Sequence, residues 1–281
     1  MSTMTSWIKK IRKLLLAIGC CYLGIMIMMT FLEKSLIFFP SRKGNWTPTH
    51  ADVEDAWFTA ADGVKIHGWY FDHPNPQAVI LFAHGNAGNL IGRAGTMDKI
   101  RHLADASVLI FDYRGYGQSD GKPDEPGILA DARAARAWLS ERAGVPESEI
   151  TLMGRSLGSG VVVDLAARDG ARGLILESAF TSLPDTAAEH YSWLPVRWLM
   201  RTRLDSAAKI ASYDGPLLMS HGDADRVVPY KLGQRLFELA PSAQKEFVTI
   251  RGGDHNDPQP GEYYTALATF VATNSLRSPI D

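Results

Sequence analysis

The chain has 281 residues, 46% of them hydrophobic and 21% charged, which fits one large α/β domain or two small domains, and one large domain would need no disulfide or metal for stability. The formal net charge is −2, but residues 1–44 carry seven basic side chains and one acidic one, so the remainder holds 22 basic and 30 acidic side chains and is a poor candidate for binding nucleic acid. Both cysteines, Cys20 and Cys21, lie near the N-terminus, which excludes a disulfide, a thiolate nucleophile and a cysteine-based zinc site from the rest of the chain.

The first predicted element is an apolar segment near the N-terminus. Residues 14–32 contain 19 amino acids without a charge, about enough to cross the hydrocarbon core of a bilayer. Four basic side chains precede this run, so the positive-inside rule places residues 1–13 in the cytoplasm and the large domain on the extracytoplasmic side, the periplasm if the host is bacterial. We therefore expect a transmembrane anchor at residues 14–32 and a linker at residues 33–52 that packs on the domain.

Three other interpretations of this segment stay open. A cleaved signal peptide has a shorter apolar core and a small-residue cleavage site, and none is evident before Glu33. A lipoprotein signal ending at Cys20 would have Ala17 three positions before the cysteine, where alanine is unusual. The apolar run also continues for twelve residues beyond that cysteine. A buried core helix would have to be covered on every side, and no other segment looks able to cover it.

From residue 53 onward, strand and helix patterns alternate. Residues 52–73 form two alternating runs around Asp62 and Gly63, the pattern of an antiparallel hairpin. Continuous apolar runs then predict buried strands near residues 78–85, 107–115, 149–154, 173–178, 216–223 and 245–253. Helical spacing predicts helices near residues 89–104, 128–144, 159–170, 231–240 and 261–274.

This alternation predicts an α/β domain at residues 53–281, with one mostly parallel sheet and helices on both of its faces. Functional sites in such sheets form at the carboxyl ends of the strands. Residues 178–214 are too long for a simple crossover and are expected to form a small cap insertion.

The octapeptide MGRSLGSG at residues 153–160 contains the pattern G-x-S-x-G, with Ser156 at its centre. It follows a predicted strand and opens a predicted helix, which is the setting of a nucleophile elbow, a sharp turn that presents a serine hydroxyl at the edge of the sheet. The N–H groups at the start of that helix, beginning with Leu157, would then point to where an oxyanion forms. The pentapeptide alone is a weak signal, and a tight turn between strand and helix is the simpler explanation.

A serine nucleophile needs a general base, and the base needs an acid that orients it. Asp225, in HGDADRVVP, follows the next-to-last strand, and His255, in GGDHND, follows the last one. Both therefore belong at the same edge of the sheet as Ser156, in the chain order Ser, Asp, His. The other seven histidines occupy less suitable places, and Asp223 and Glu177 are alternative acids.

The loop HGNAGN at residues 84–89 is expected to supply the second oxyanion donor, the backbone N–H of Asn86, because small residues let the backbone approach a substrate. Its simpler role is to cap the next helix through Asn89. Arg155, Tyr113 and Trp193 are further candidates for contact with the substrate, although Arg155 can equally pair with a nearby acid. The acidic cluster around His255 suggests a metal site as an alternative, but its spacing matches no metal motif, so neither metal nor cofactor is expected.

The segments FAHGNAGN, FDYRGYGQSDGKP, GRSLGSG, ESAFTS, HGDADRVVP and GGDHND, in this order, resemble those of the Bem46-like α/β-hydrolases, which include membrane-anchored bacterial members. The resemblance covers about residues 33–273. It implies the α/β-hydrolase fold, with Ser156 as nucleophile, Asp225 as acid, His255 as base, and Asn86 and Leu157 as oxyanion donors. Many relatives have an aromatic residue soon after HND, whereas this chain continues as HNDPQPG, a departure at the rim of the site.

The expected function is that of a membrane-anchored serine hydrolase, which cleaves carboxylic esters or thioesters through an acyl-enzyme on Ser156. The expected partners are the membrane and an acyl compound of lipid origin, and nucleic acid is not among them. A peptidase or amidase of the same fold is one alternative, and a binding protein that has lost the chemistry is another. Three interpretations of the aromatic cap insertion stay open: it receives an acyl chain, it lies on the membrane, or it only packs on the sheet.

Overall fold

The computed structural model describes residues 2–48 and 53–276. Residue 1 of the predicted cytoplasmic segment, residues 49–52 of the predicted linker and residues 277–281 of the predicted domain lie outside the described residues.

A mostly parallel sheet of eight strands forms the centre of the described structure, in the order β10-β9-β8-β7-β4-β6-β3-β2. Strands β2 and β3 form the predicted antiparallel hairpin, and β3 also runs antiparallel to β6. A separate two-residue parallel pairing joins β1 to β5. The strands are β1 (Phe39–Pro40), β2 (Val53–Thr59), β3 (Lys65–Phe71), β4 (Ala78–Ala83), β5 (Ala87–Gly88), β6 (Ala106–Phe111), β7 (Thr151–Arg155), β8 (Gly173–Glu177), β9 (Leu217–Gly222) and β10 (Lys245–Ile250).

Helices cover both faces of this sheet, as the alternating pattern predicts. The described α-helices are α1 (Ser2–Ile37), α2 (Ala94–Leu103), α3 (Glu125–Ala143), α4 (Leu157–Asp169), α5 (Leu183–His190), α6 (Val196–Leu199), α7 (Ser206–Ile210), α8 (Tyr230–Leu239) and α9 (Gly261–Thr273). Short 3₁₀ turns at Leu90–Arg93 and Glu147–Glu149 precede α2 and β7.

The central strand β4 explains why its sequence is apolar throughout. Val79, Leu81 and Ala83 point into one core, which α3, α4 and α8 complete. Their neighbours Ile80 and Phe82 point into a second core, which α2 and α9 complete. Successive side chains of a strand alternate between faces, so a strand covered on both sides has no solvent-facing position to fill with a polar residue.

The N-terminal helix differs from its predicted bounds. It runs to Ile37, five residues beyond the predicted span, so the segment predicted as a linker begins as helix. Its last turn is docked on the domain, because Lys34 lies 3.0 Å from Asp124, and Phe38 is buried directly after the helix. The part from Ser6 to Ile37 is long and apolar enough to cross a membrane, with a mean hydropathy of 2.3 in its most apolar window, a property that membrane anchors and signal sequences share.

The long interval between β8 and β9 folds as three short helices, α5, α6 and α7. None exceeds eight residues, so their sequences are too short for helical periodicity to show. This segment, which we call the cap, covers the edge of the sheet where β4, β7 and β8 end.

Candidate active site

Ser156 occupies the sharp turn between β7 and α4. Its φ of +52° and ψ of −119° lie in a region that residues with a Cβ rarely adopt. The turn is possible because its neighbours are glycines: a Cβ on Gly158 would overlap the carbonyl oxygen of Ala83, and a Cβ on Gly154 would overlap that of Gly158. The absence of both Cβ atoms lets α4 pass directly over β4 and β7, which holds Ser156 at the end of the sheet.

Asp225, His255 and Ser156 form one hydrogen-bonded chain. His255 Nδ1 lies 2.7 Å from Asp225 Oδ2, and His255 Nε2 lies 3.1 Å from Ser156 Oγ. A carboxylate only accepts hydrogen bonds, so the proton of the neutral imidazole belongs on Nδ1 and leaves Nε2 free to accept one from the serine hydroxyl. The arrangement has the geometry of a nucleophile beside an oriented general base.

The surroundings of Asp225 favour its ionised form. Its Oδ1 accepts the backbone N–H groups of Val227 and Val228, each at 2.8 Å. Burial raises the pKa of this carboxyl, but hydrogen bonds from His221 and His255 outweigh burial and hold the pKa well below its usual range. His221 Nε2 lies 3.3 Å from Asp225 Oδ2 and 2.9 Å from the carbonyl oxygen of Val228, so it also braces the loop that carries the acid.

Two contacts fix the loop that carries His255. Arg155 donates to the carbonyl oxygen of His255 at 2.7 Å and lies 3.7 Å from Glu177. Asp254 accepts the backbone N–H groups of His255 at 2.8 Å and of Arg226 at 3.0 Å. The hydrogen bond from the Arg226 side chain lowers the pKa of Asp254 to about 2, so this brace stays ionised at neutral pH.

The loop that holds Asn86 lies directly beside Ser156. A Cβ on Gly85 would be 3.6 Å from the Cβ of Ser156. The carbonyl oxygen of Asn86 accepts from the backbone N–H of Phe39 at 2.9 Å and from the hydroxyl of Tyr116 at 2.7 Å. Its side chain donates to the carbonyl oxygen of Ile37 at 2.8 Å, so the end of α1 and β1 hold the orientation of this peptide.

Asn89 and Arg93 stabilise the same loop. The side chain of Asn89 accepts the backbone N–H of Ile91 and caps the 3₁₀ turn. The guanidinium of Arg93 donates to the carbonyl oxygens of Ala87 and Asn89, each at 2.6 Å.

Of the three predicted substrate contacts, two lie away from the cavities at Ser156 and one lines one of these cavities. Tyr113 is fully buried and donates to the carbonyl oxygen of His84 at 2.8 Å, so it supports the Asn86 loop and cannot reach a substrate. Trp193 lies on the cap against α1, where its carbonyl oxygen accepts from Tyr22 at 2.9 Å, outside the cavities that border Ser156. Arg155 does line the cleft at Ser156, although its hydrogen bonds go to the His255 loop.

The two alternative acids are also accounted for. Asp223 accepts the backbone N–H of Gly252 at 2.6 Å and acts as a turn residue, and Glu177 pairs with Arg155. Among the described residues, no group of three or more His, Cys, Asp or Glu is arranged to hold a metal ion.

Two cavities border Ser156 from different sides. The more polar of the two is a cleft of about 470 Å³, with Asn86, Arg93, Arg155, His255 and Asn256 among the residues that line it. The other, of about 310 Å³, lies under the cap and is mostly apolar, with Leu36, Ile37, Phe39, Phe180, Leu183 and Met200 in its lining. A compound with one polar and one apolar end would fit this division.

The apolar pattern of α1 does not predict that this helix forms part of the site. Glu33 is buried, and its carboxylate accepts the backbone N–H groups of Arg201 at 3.1 Å and Thr202 at 2.6 Å. These partners lie nearly 170 positions apart in the chain. The position of Glu33 directly after an apolar run is the one feature of the sequence that hints at such a contact. It does not indicate which segment of the chain Glu33 contacts.

Comparison with known proteins shows the family to which the chain belongs. The α/β-hydrolase fold family matches residues 78–209. A protein of Mycobacterium tuberculosis is 38% identical over 242 residues, which cover 84% of this chain and 85% of that protein. Protein Bem46 of Schizosaccharomyces pombe is 32% identical over 265 residues, which cover 88% of each chain.

Among solved structures, the esterase Pf2001 of Pyrococcus furiosus is similar with a TM-score of 0.69, covering 84% of this chain and 98% of that one. Its sequence identity of 22% supports a shared fold and nothing finer. The identity to Bem46 over nearly the whole of both chains goes further and confirms the resemblance drawn from the six sequence segments. The chain belongs to the Bem46-like α/β-hydrolases.

Proposed function

We propose that this protein is a membrane-anchored serine hydrolase that cleaves carboxylic esters or thioesters. The observation that carries the proposal is the hydrogen-bonded chain from Asp225 through His255 to Ser156. The esterase fold of the solved relatives and the apolar cavity beside the serine agree with an acyl substrate.

In the proposed reaction, Ser156 Oγ forms a bond to the acyl carbon while its proton passes to His255 Nε2. The backbone N–H groups of Asn86 and Leu157 stabilise the oxyanion, and each such donor typically contributes about 3 kcal/mol to lowering the barrier. The carbon–oxygen or carbon–sulfur bond to the leaving group then breaks, and the leaving group takes the proton from His255. Asp225 holds the imidazole in the required tautomer and stabilises its charged form.

Water completes the reaction. His255 takes a proton from water as the water attacks the acyl carbon of the acyl-enzyme. The bond between that carbon and Ser156 Oγ then breaks, Ser156 Oγ takes the proton from His255, and the carboxylic acid is released. No cofactor takes part in these steps.

We further propose that residues 14–32 form a membrane anchor, that residues 1–13 lie in the cytoplasm and that the hydrolase domain at residues 53–281 lies on the extracytoplasmic side. The apolar composition of α1 and the basic residues before its apolar run support this. The cap at residues 178–214 lies against the C-terminal half of α1, because the carbonyl oxygen of Trp193 accepts a hydrogen bond from Tyr22 of that helix.

The test of the chemistry is Ser156→Ala, compared with Ser212→Ala at an exposed serine. We expect Ser156→Ala to lower kcat for p-nitrophenyl butyrate by on the order of 10⁶ and to abolish labelling by a fluorophosphonate probe. Ser212→Ala should behave as the unaltered protein. Labelling of the Ser156→Ala protein at an undiminished level would refute the assignment.

A further inference from the structure

Two apolar cavities meet at the end of α1. The inner one borders Ser156 and has a volume of about 310 Å³, and the outer one, of about 250 Å³, lies between α1 and the cap. Both have the same residues at their junction: Leu36, Ile37, Phe39, Ala187, Tyr191 and Met200. The two cavities therefore adjoin at these side chains, and we refer to them together as the passage, with its inner part at Ser156.

The passage follows α1 away from Ser156. Met29 and Thr30 line only its outer part, whereas Ile37 lines both parts. Eight residues of helix separate Met29 from Ile37, which corresponds to about 12 Å along the helix axis. The outer end therefore lies beside the C-terminal part of the apolar run, where Phe31 is 84% exposed.

The wall that α1 provides is held in place by polar contacts at its edges. Glu33 borders the outer cavity, and its carboxylate accepts hydrogen bonds from the backbone N–H groups of Arg201 and Thr202. Lys34 pairs with Asp124, and Tyr22 donates to the cap at Trp193. A helix that served only as a tether would not need these contacts, because a flexible linker could replace its last turns.

The surface around the outer end has the composition of a membrane interface. Trp193 and Trp198 on the cap are 55% and 90% exposed. Arg197, Arg201 and Arg203, on the same stretch of the cap, are exposed as well. Aromatic side chains prefer the headgroup region of a bilayer, and arginines are attracted to anionic lipids.

We propose that this passage is an acyl-chain channel with α1 as one wall, and that the substrate is a long-chain acyl ester or thioester drawn from the bilayer. The acyl carbonyl lies at Ser156 and the chain runs beside α1 toward the hydrocarbon region. The chain then exchanges one apolar environment for another and needs little exposure to water. This inference deepens the proposed function and rests on it.

The test fills the channel at two depths in the full-length protein, reconstituted in phosphatidylcholine vesicles. Ala187→Trp places an indole at the junction of the two cavities, and Thr30→Trp places one in the outer cavity only. The substrates are p-nitrophenyl butyrate, octanoate and palmitate. Glu189→Trp, at an exposed position of the same helix as Ala187, is the control.

We expect Ala187→Trp to lower kcat/KM for octanoate and palmitate by at least about tenfold, while butyrate changes by less than about twofold, because only the longer chains reach the filled space. Thr30→Trp should lower kcat/KM for palmitate alone, and Glu189→Trp should leave kcat/KM for all three esters unchanged. If Ala187→Trp does not fold, Thr30→Trp alone still tests the channel, because it should lower kcat/KM for palmitate and leave kcat/KM for the two shorter esters unchanged.

Equal effects on all three esters, or no effect of either folded variant on palmitate, would overturn the channel. Such a result leaves the proposed function intact, since that function predicts only that turnover depends on Ser156. Conversely, turnover that survives in Ser156→Ala would refute the proposed function whatever the chain-length profile.

Discussion

At the scale of single residues, the environment of Asp225 explains how this carboxyl can act as the third member of the candidate triad. One oxygen is occupied by two backbone N–H groups, and the other faces His255 and His221. Its pKa lies well below the usual range despite burial, so it stays ionised wherever the protein is folded. A permanently charged Asp225 can stabilise the imidazolium that forms when His255 takes the serine proton.

Replacing this charge by a neutral amide tests the assignment. We expect Asp225→Asn to lower kcat for p-nitrophenyl butyrate by on the order of 10⁴, because an amide can stabilise the wrong imidazole tautomer. Asp223→Asn is the matched control, since Asp223 lies two positions away and contacts only the turn at Gly252. A larger loss in Asp223→Asn than in Asp225→Asn would transfer the role of acid to Asp223.

The sequence located the members of this chain because each follows a predicted strand, and the carboxyl ends of parallel strands share one edge of the sheet. It failed for Tyr113 and Trp193 for a different reason. The position of a residue near a strand end does not give the direction of its side chain, and Tyr113 points beneath the loop at His84. Trp193 faces α1, a contact between segments far apart in the chain that no local pattern encodes.

At the scale of secondary-structure elements, α4 is held to its neighbours by one buried carboxylate. Asp164 lies 2.8 Å from Arg133 on α3 and 2.7 Å from Lys209 on α7. Burial raises the pKa of Asp164, but the hydrogen bonds from Lys209 and Arg133 lower it further than burial raises it. Asp164 therefore joins the helix that begins at Ser156 to the last helix of the cap.

We expect Asp164→Asn to lower the free energy of unfolding by about 2 kcal/mol at pH 7, because Arg133, Lys209 and Arg168 lose their charged partner. The pKa is lower in the folded than in the unfolded protein, so the stabilisation is fully present above the unfolded value of about 4. It is lost as the pH falls through the lower folded value. Urea unfolding of both proteins between pH 7 and pH 3 should show the difference shrinking only below about pH 4.

A stability difference that was unchanged down to pH 3 would mean that packing of the side chain, and not its charge, accounts for the loss. Asp169→Asn is a suitable control, because Asp169 also faces Arg133 but is partly exposed and is expected to contribute little.

The bounds of elements were predictable where the pattern was long enough. The eight strands of the main sheet and the helices α3, α4, α8 and α9 lie at their predicted places, although β6 and β10 end four and three residues before the predicted ends. The two-residue strands β1 and β5 are too short for a sequence pattern to predict. The helix predicted at residues 89–104 begins as a 3₁₀ turn capped by Asn89, since the first turn is bound to that side chain. α1 exceeds its predicted end because the prediction followed hydropathy, whereas Glu33 and Lys34 are polar residues with partners on the domain.

At the scale of the whole molecule, the apolar helix and the hydrolase domain form one continuous unit. The last turns of α1 contribute Ile37 and Leu36 to the cavity at Ser156, and the residues that follow pair with the Asn86 loop. Displacing α1 would therefore remove a wall of the cavity and a support of the candidate oxyanion donor. An anchor that was cleaved from the mature protein would leave both incomplete.

Because the cavity wall and the support of the Asn86 loop depend on α1, we expect α1 to be an uncleaved anchor and not a signal sequence. We expect a chain with an N-terminal epitope tag and C-terminal alkaline phosphatase to remain one polypeptide in the membrane fraction of a bacterial host and to resist extraction at high pH, because α1 is apolar over a length that spans the bilayer. Under the proposed orientation the phosphatase should be active, since it folds only outside the cytoplasm and the positive-inside rule predicts that the basic N-terminus stays in the cytoplasm. Loss of the tag from the phosphatase-bearing chain would instead indicate cleavage, and an inactive phosphatase on an intact chain would place the hydrolase domain in the cytoplasm.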